Sequence, residues 1–421
     1  MPLLLFLFTT AIGHEYSYGQ SARNKLSSFE KWLEGDYMTG TWNGFRTKLN
    51  HRGINPFGYY NATFLGNPAG GISRGFEYAG LITAGLSFDL ERILNLNGLK
   101  FTVSGSWVSG KSLTNDHIGN IFNVSQVFNF SSDSGFNANS LRLFQFFLEQ
   151  SLFENKLNIA VGRMGTGEEF ATSHIYGYYV NVAFNGNPGS IIINLPTFTS
   201  DPFATWGTRL KLKLKDNLYF KTGIYNADPD IVNINNNGLN FSLNGGVLII
   251  GEAGYHKKSR IFNKDLPGNF KIGAYLDTGE FEDLNNPENS RSDNYGFYLL
   301  SDQMFYRENS FDNQGLLIFS VFTLAPQKEI NTFPFFFSNG IQYRGLIPNR
   351  NHDVAVFGLA YGNFSSDLAG QDFEMIIELT YALQLTNWFL VQPDFQYIIH
   401  PNGDQNINDS FVLGMQLQVE L

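Results

Sequence analysis

The last part of the chain shows the clearest pattern, because apolar and polar residues alternate there with a period of two. One set of alternate positions is apolar and consists of Phe411, Leu413, Met415, Leu417, Val419 and Leu421. The segments 374–385 and 389–400 repeat the alternation. Because successive side chains of a strand point to opposite faces, each segment predicts a strand with one apolar face and one wet face. A strand of about ten such residues crosses a bilayer when it is tilted.

Short and long connections alternate between these segments. Thr386–Asn387 joins the first two, and the polar stretch 401–410 precedes the last. The pairs Glu154–Asn155 and Asp216–Asn217 predict further tight turns at the same end, since Asn and Asp tolerate the left-handed backbone of such turns. This arrangement is typical of a barrel with tight turns at one end and loops at the other.

The same alternation predicts strands upstream and brings the total to about sixteen, an even number. The upstream candidates are 54–66, 76–89, 99–110, 141–152, 156–164, 205–215, 218–226, 245–256, 270–279, 295–306, 314–325, 334–344 and 353–363. The connections 111–140 and 165–204 are much longer than the others, and long loops of a compact domain usually carry function. We therefore predict an all-β fold, a transmembrane antiparallel β-barrel of about 16 strands with a short, partly helical N-terminal segment.

The N-terminus predicts a targeting segment. An apolar stretch over residues 2–13 precedes the small-x-small triplet Ser17, Tyr18 and Gly19, which indicates a signal peptide over residues 1–19. A basic region is missing before it, so a buried N-terminal segment is the alternative. Residues 20–53 are expected to form a periplasmic or plug-like segment, and residues 54–421 the barrel.

Composition removes several classes of protein. Charged residues make up only 16% of the chain and aromatic residues also 16%. The sequence contains no run of 18 apolar residues, which argues against a transmembrane helix. The net charge of −10 gives no basic face for nucleic acid. Cysteine is absent, and the seven His residues lack metal-binding spacing. No nucleotide-binding or hydrolase motif is present, so we expect no enzyme, no metal and no cofactor.

Long segments of the chain resemble the carbohydrate-selective porin family, OprB, from about Leu33 to Leu421. The resemblance is carried by LEGDYMTGTWNGFRTKL, YAGLITAGLSFDLERI, FFLEQSLFENKLNIAVGRMGTGEEFATS, IQYRGLIPNRNHDVAVFGLAYGNFS and FEMIIELTYALQLTNWFLVQPDFQYIIHPNG, in this order. It implies a 16-stranded porin of the bacterial outer membrane, surrounded by lipid, for passive diffusion of sugars such as glucose. It also implies a pore narrowed by inward loops and charged wall residues. Whether the barrel is a monomer or a trimer stays open.

A basic ladder is the first candidate for the solute path. Arg209, Lys211 and Lys213 alternate with leucines on one strand, so they share the wet face. Such a ladder either keeps a wet wall soluble or forms a transverse field with acidic groups across the pore. Candidates on the other walls share the lumen parity of their strands; they are Glu252, Asp277, Glu374, Glu378, Asp394 and Gln396.

Other candidates are harder to place. By resemblance, Glu168 and Glu169 belong to a loop segment that reaches toward the constriction; the alternative is an exposed loop contact. Arg142, Glu149 and Arg163 are suggestive, but Glu149 and Arg163 share the parity of apolar neighbours and require a bulge or a rim position. A general or anion-leaning porin, or a structural or adhesive barrel, are the alternative functions.

Overall fold

In the computed structural model, residues 28–128, 140–228, 237–239, 241–309 and 313–421 are described. The expected signal peptide lies outside these residues. The described part holds the sixteen strands β1 Ile54–Gly71, β2 Gly75–Asp89, β3 Leu99–Gly110, β4 Ser140–Leu152, β5 Leu157–Met164, β6 Thr205–Lys215, β7 Leu218–Ala227, β8 Gly246–Ile261, β9 Lys264–Glu282, β10 Ser290–Arg307, β11 Gly315–Leu324, β12 Phe335–Arg344, β13 Val354–Asn363, β14 Phe373–Thr386, β15 Phe389–Ile399 and β16 Asn408–Glu420.

The strands close into one antiparallel barrel in which each strand pairs with its neighbours in sequence and β1 pairs with β16. This confirms the predicted fold and strand number. Four strands, β1, β8, β9 and β10, extend well beyond their predicted limits. Closure pairs the backbone groups at both edges of the sheet, which an open sheet would leave unpaired.

The two barrel ends differ as the connections predict. One end carries short turns, among them residues 153–156, 216–217 and 262–263. The described part of the β3–β4 loop (111–128) and the β5–β6 loop (165–204) lie at the opposite end. Asn155 and Asn263 adopt positive φ angles of 64° and 60°, which is the left-handed geometry that tight turns need.

The outer face of the wall is an exposed apolar belt. Leu379 is 55% exposed, Leu413 49% and Phe357 44%, whereas their strand neighbours Glu378 and Val412 are fully buried toward the interior. The alternation in sequence therefore sets the two faces as expected. No helix among the described residues is both long and apolar enough to span a bilayer.

The N-terminal segment packs on the short-turn end of the barrel. It contains the short helices α1 Ser28–Leu33 and α2 Phe45–His51; two further helices, α3 Leu90–Leu94 and α4 Gly189–Asn194, belong to loops. The Trp32 ring lies 4.7 Å from the ring of Trp388 in the β14–β15 turn. Arg46 donates to the carbonyl oxygens of Leu421 at 2.8 Å and Pro56 at 3.1 Å, and so joins both ends of the barrel chain.

The β5–β6 loop and the described part of the β3–β4 loop, residues 111–128, fold into the barrel. In the β5–β6 loop, Tyr176 and Tyr179 lie 5.4 and 5.5 Å from the ring of Phe319 on β11, and all three are buried. In the β3–β4 loop, the Phe122 ring stacks on Phe333 at 4.7 Å. Glycine is needed where the β5–β6 loop packs closely against the wall: a Cβ at Gly358 would lie 2.8 Å from the Phe184 ring. The loops thus build an apolar core inside the barrel.

Candidate functional site

A continuous set of ion pairs joins the β5–β6 loop to the inner wall. Arg209 on β6 donates to Glu149 on β4 at 2.9 Å and to Glu169 of the loop at 3.0 Å. Lys221 on β7 pairs with Glu252 on β8 at 3.0 Å and also donates to the Glu169 carbonyl oxygen. We call these five residues the charged arc. Carboxylates and cations alternate along it and contact one another directly.

Exposure differs sharply along the charged arc. The side chains of Glu149 and Glu169 are 18% and 20% exposed, whereas Arg209 is only 3% exposed and Glu252 is completely covered. Burial opposes ionisation of Glu169, but Arg209 and Lys221 outweigh it and hold the pKa of Glu169 below its usual value. The arc therefore presents the ionised Glu169 carboxylate at the exposed side and keeps the Arg209 guanidinium beneath it.

Further polar groups extend the arc along the wall. Lys271 on β9 donates to the Thr172 carbonyl oxygen, and Asp302 on β10 accepts from Ser173 at 3.3 Å. Tyr219 and Tyr298 both donate to Glu252. Sequence reasoning missed Lys221, Lys271 and Asp302, although each shares the inward parity of its strand. The alternation of inward and outward positions along β7, β9 and β10 would have identified them.

Two of the predicted carboxylates on the wall, Glu374 and Glu378, accept hydrogen bonds from backbone N–H groups of the loops. Glu374 accepts backbone N–H groups of Ile121 and Phe122 at 2.9 Å, and Asn402 N–H at 2.6 Å. Glu378 accepts from Val180 and Asn181 of the β5–β6 loop at 2.6 and 3.2 Å. These carboxylates point inward as expected, and they satisfy loop backbone groups that would otherwise be buried without partners.

Three other predicted residues also contact the loops or each other. Thr197 of the β5–β6 loop donates to Asp277, and Asn181 donates to Gln396 at 2.8 Å. Asp394 accepts from Thr380 at 2.7 Å and from Gln396 at 2.7 Å. All three lie on the inner face with little exposure. Asp394 and Gln396 form a buried polar network on β15. Asp277 lies on β9, beside the strand that carries Glu252.

A second carboxylate cluster fixes the far end of the β5–β6 loop. Asp201 accepts hydrogen bonds from Thr83 and Ser106, both at 2.6 Å, and from Tyr59, so one loop residue contacts β1, β2 and β3. Burial raises the pKa values of both Asp201 and Glu168. The end of the loop is therefore joined to β1, β2 and β3, the strands next to those that carry the charged arc.

A bulge in β4 explains why Glu149 faces the interior although it shares the alternation of apolar residues on its strand. The ladder between β3 and β4 shifts between the pairs Ser104–Gln145 and Gly105–Leu143. Because of this shift, Arg142 and Glu149 both face the interior although they lie an odd number of residues apart. Arg142 lies 4.7 Å from the Phe203 ring of the β5–β6 loop.

Two of the predicted basic residues lie apart from the charged arc. Arg163 pairs in the ladder with Phe146 and Trp206, whose side chains lie on the outer face, and its Nε donates to the Leu143 carbonyl oxygen at 3.3 Å. This placement differs from the expectation that Arg163 lines the solute path. Lys213 pairs with the exposed Asp216 at 2.8 Å, at the short-turn end. Lys211 stays near the arc, 5.5 Å from the Tyr219 ring.

No group of three or more metal-binding side chains occurs in the described part of the chain. The polar groups instead suit hydroxyl-bearing solutes, because carboxylates accept and Arg, Lys and Tyr donate hydrogen bonds.

Comparison with known proteins identifies relatives over nearly the whole chain. The family model for the carbohydrate-selective porin, OprB family, matches residues 73–421. Porin B of Pseudomonas aeruginosa is 26% identical, and the match covers 94% of this chain and 93% of the relative. The putative porin QuiX of Acinetobacter baylyi is 24% identical, with 94% of this chain and 95% of the relative covered.

Solved structures agree with these matches. The high-pH structure of Pseudomonas putida OprB superposes with a TM-score of 0.84 at 25% identity, covering 92% of this chain and 99% of that chain. Its low-pH structure gives a TM-score of 0.62 at 22% identity with the same coverage. Salmonella typhi OmpF, at 12% identity and a TM-score of 0.51, shares the fold.

Proposed function

This chain belongs to the OprB family of carbohydrate-selective porins, and from that premise we propose that small sugars and ions are discriminated at its charged arc. The protein is a sugar porin of the bacterial outer membrane and not an enzyme. What we add is the place and the means of selection: a water-filled passage beside Glu149, Glu169 and Arg209, narrowed by the β5–β6 loop, for monosaccharides such as glucose.

The observation that carries the proposal is the pairing of Arg209 with Glu149 and Glu169 at 2.9 and 3.0 Å, where a loop meets two wall strands. Opposite charges at a narrow point order water and act on every passing ion. A neutral sugar interacts with them chiefly through hydrogen bonds, which its hydroxyl groups both donate and accept. Selection therefore requires no tight sugar site.

The proposal includes the surroundings of the pore. The exposed apolar belt, with residues such as Leu379 and Leu413, is suited to contact outer-membrane lipid. We propose residues 54–421 as the porin domain and residues 20–53 as a periplasmic segment, whose described part, residues 28–53, packs on the short-turn end. Contacts of Arg46 and Trp32 with the barrel end support a cover rather than a plug.

The test compares the wild type with the Arg209→Gln, Lys211→Gln double variant in liposomes and planar bilayers. We expect wild-type liposomes to swell fastest with monosaccharides. The double variant should change the cation-to-anion permeability ratio by about threefold, because fixed charges act directly on ions, and change glucose influx less. Reversal potentials under a salt gradient measure the first quantity, and swelling rates measure the second.

Lys258→Gln is the matched control, because Lys258 is exposed near the short-turn end of β8, away from the charged arc. It should leave both quantities unchanged. An unchanged reversal potential in the double variant would remove the charged arc from the selective part of the pore. Equal swelling with sugars and with salts would instead favour a general diffusion porin.

A further inference from the structure

The carboxylate of Glu252 is a junction between four elements. Its Oε1 accepts hydrogen bonds from Tyr219 and Lys221, both at 3.0 Å. Its Oε2 accepts from the backbone N–H of Ala171 at 3.0 Å and from Tyr298 at 3.1 Å. Glu252 itself is fixed in β8, where it pairs with Lys221 and Gly273 in the ladder. Both oxygens are thus fully used by donors from β7, β10 and the β5–β6 loop.

Two of these contacts determine where Glu169 lies. Ala171 is two residues beyond Glu169, and its backbone has a positive φ of 51°, a conformation that costs a non-glycine residue energy and needs outside support. Lys221 contacts both Glu252 and the Glu169 carbonyl oxygen. The loop is therefore held at Glu169 itself and two residues beyond it, and the Glu169 carboxylate reaches Arg209 at 3.0 Å.

Exposure separates the roles of the two carboxylates. Glu169 is 20% exposed, whereas the Glu252 side chain has no exposed surface. A permeating solute can touch Glu169 but cannot touch Glu252. We propose that Glu252 is a positioning residue of the pore: it fixes the loop so that Glu169 opposes Arg209, and it acts on permeation through that placement. This inference rests on the proposed function, because it takes the charged arc as the selective part of the pore.

The substitution Glu252→Gln tests whether Glu252 holds the loop, and it leaves the size of the side chain almost unchanged. A Gln side chain carries one acceptor oxygen and one NH₂ donor. In one orientation its NH₂ group faces Lys221, and in the other it faces the Ala171 N–H. The tyrosine hydroxyls can turn to accept, but an ammonium and a backbone N–H cannot. Either orientation therefore leaves one loop contact unmade.

The experiment is a double-mutant cycle of wild type, Glu252→Gln, Glu169→Gln and the double variant, read as reversal potentials in planar bilayers. With Glu169 present, Glu252→Gln should lower the cation-to-anion permeability ratio by about twofold, and in the Glu169→Gln background it should change little, since residues joined in one hydrogen-bond network couple. Equal shifts in both backgrounds would mean that Glu252 acts through its own charge, and would overturn the proposal.

Glu374→Gln is the control, because Glu374 is also a buried inward carboxylate but holds the β3–β4 loop. It should not couple to Glu169→Gln; equal coupling would overturn the proposal. If Glu252→Gln fails to assemble, Glu252→Asp keeps the charge and withdraws the carboxylate by one methylene. An assembled Glu252→Asp barrel should shift the reversal potential in the same direction, and an unchanged potential counts against positioning.

Sugar influx into liposomes separates this inference from the proposed function. Coupling between Glu252 and Glu169 in a barrel that admits no sugar would reject the sugar passage and keep the positioning role. Additive shifts of the reversal potential in a barrel that admits sugars would reject the positioning role of Glu252 and keep the sugar passage.

Discussion

Asp201 and Glu252 are single residues that hold opposite ends of the same loop with different chemistry. Asp201 is held by three hydroxyl groups, those of Tyr59, Thr83 and Ser106. Each hydroxyl both donates and accepts, so the cluster can adapt to an amide. Two of the four donors on Glu252 cannot reverse. Replacement of a carboxylate by its amide is therefore expected to be tolerated at Asp201 and damaging at Glu252.

The buried carboxyl of Asp201 should also make the thermal stability of the barrel depend on pH. Burial raises its pKa above the ordinary value of 3.8. A folded pKa above the unfolded one means that the folded barrel holds the proton more tightly, so this stabilisation is complete below pH 3.8 and is lost as pH rises through the raised pKa. Relative to Asp201→Asn, the wild type should lose thermal stability over that rise. The midpoint of the heat-induced gel shift measures it.

Asp216→Asn provides a control of opposite sign. Asp216 lies in the exposed β6–β7 turn, and its hydrogen bond from Lys213 lowers its pKa below 3.8. Its contribution is present above the ordinary pKa and disappears as pH falls. If the difference in thermal midpoint between the wild type and Asp201→Asn stayed constant as pH changed across the acid range, the burial of an ionisable Asp201 would be refuted.

At the scale of elements, strands and their connections follow local pattern closely, but irregular positions do not. The bulge in β4 lets Arg142 and Glu149 face the same side, and its position depends on the pairing with β3. The strands β8 and β9 extend to the short turn at Phe262 and Asn263, past the end of the apolar alternation. Pairing with a long neighbour, rather than alternation, sets these limits.

The N-terminal segment gives the prediction for this scale. Arg46 is only 3% exposed, lies 3.4 Å from the centre of the Tyr37 ring, and donates to carbonyl oxygens at both ends of the barrel chain. Arg46→Ala should destabilise the barrel by about 2 kcal/mol, the size expected for charged hydrogen bonds. Lys48→Ala, on the exposed face of the same helix, should have little effect. Equal midpoints of thermal unfolding for the two variants would contradict a structural role of the segment.

For the whole molecule, the barrel wall and the inward loops have separable roles. The wall closes through ladders between neighbouring strands, none of which includes a residue of the β5–β6 loop. The loop instead contributes buried aromatic residues such as Tyr176 and Tyr179 to the interior. Closure of the barrel therefore does not require the loop, whereas narrowing of the lumen does.

Excision of residues 174–196, replaced by a short Gly-Ser linker, tests this separation. The variant keeps Glu169 and Asp201, and we expect it to assemble with reduced thermal stability because apolar burial is lost. Conductance should rise by about twofold or more, and larger saccharides should enter, since wider lumens pass larger solutes. Shortening of the β9–β10 loop (283–289) is the control and should not change the size limit. An unchanged limit in the excision variant would place the constriction elsewhere.

The sequence by itself determined the barrel, because alternation with a period of two is a local property that assigns each side chain to a face. It also determined that Glu252, Glu374 and Glu378 point inward, and by resemblance it indicated the family. Only the tertiary structure decided what these residues contact. Arg209 meets Glu149 and Glu169, and Glu252 meets Ala171, across long separations in sequence. Such contacts depend on how a loop folds back into the lumen, and that path is set by packing against distant strands, which no local period encodes.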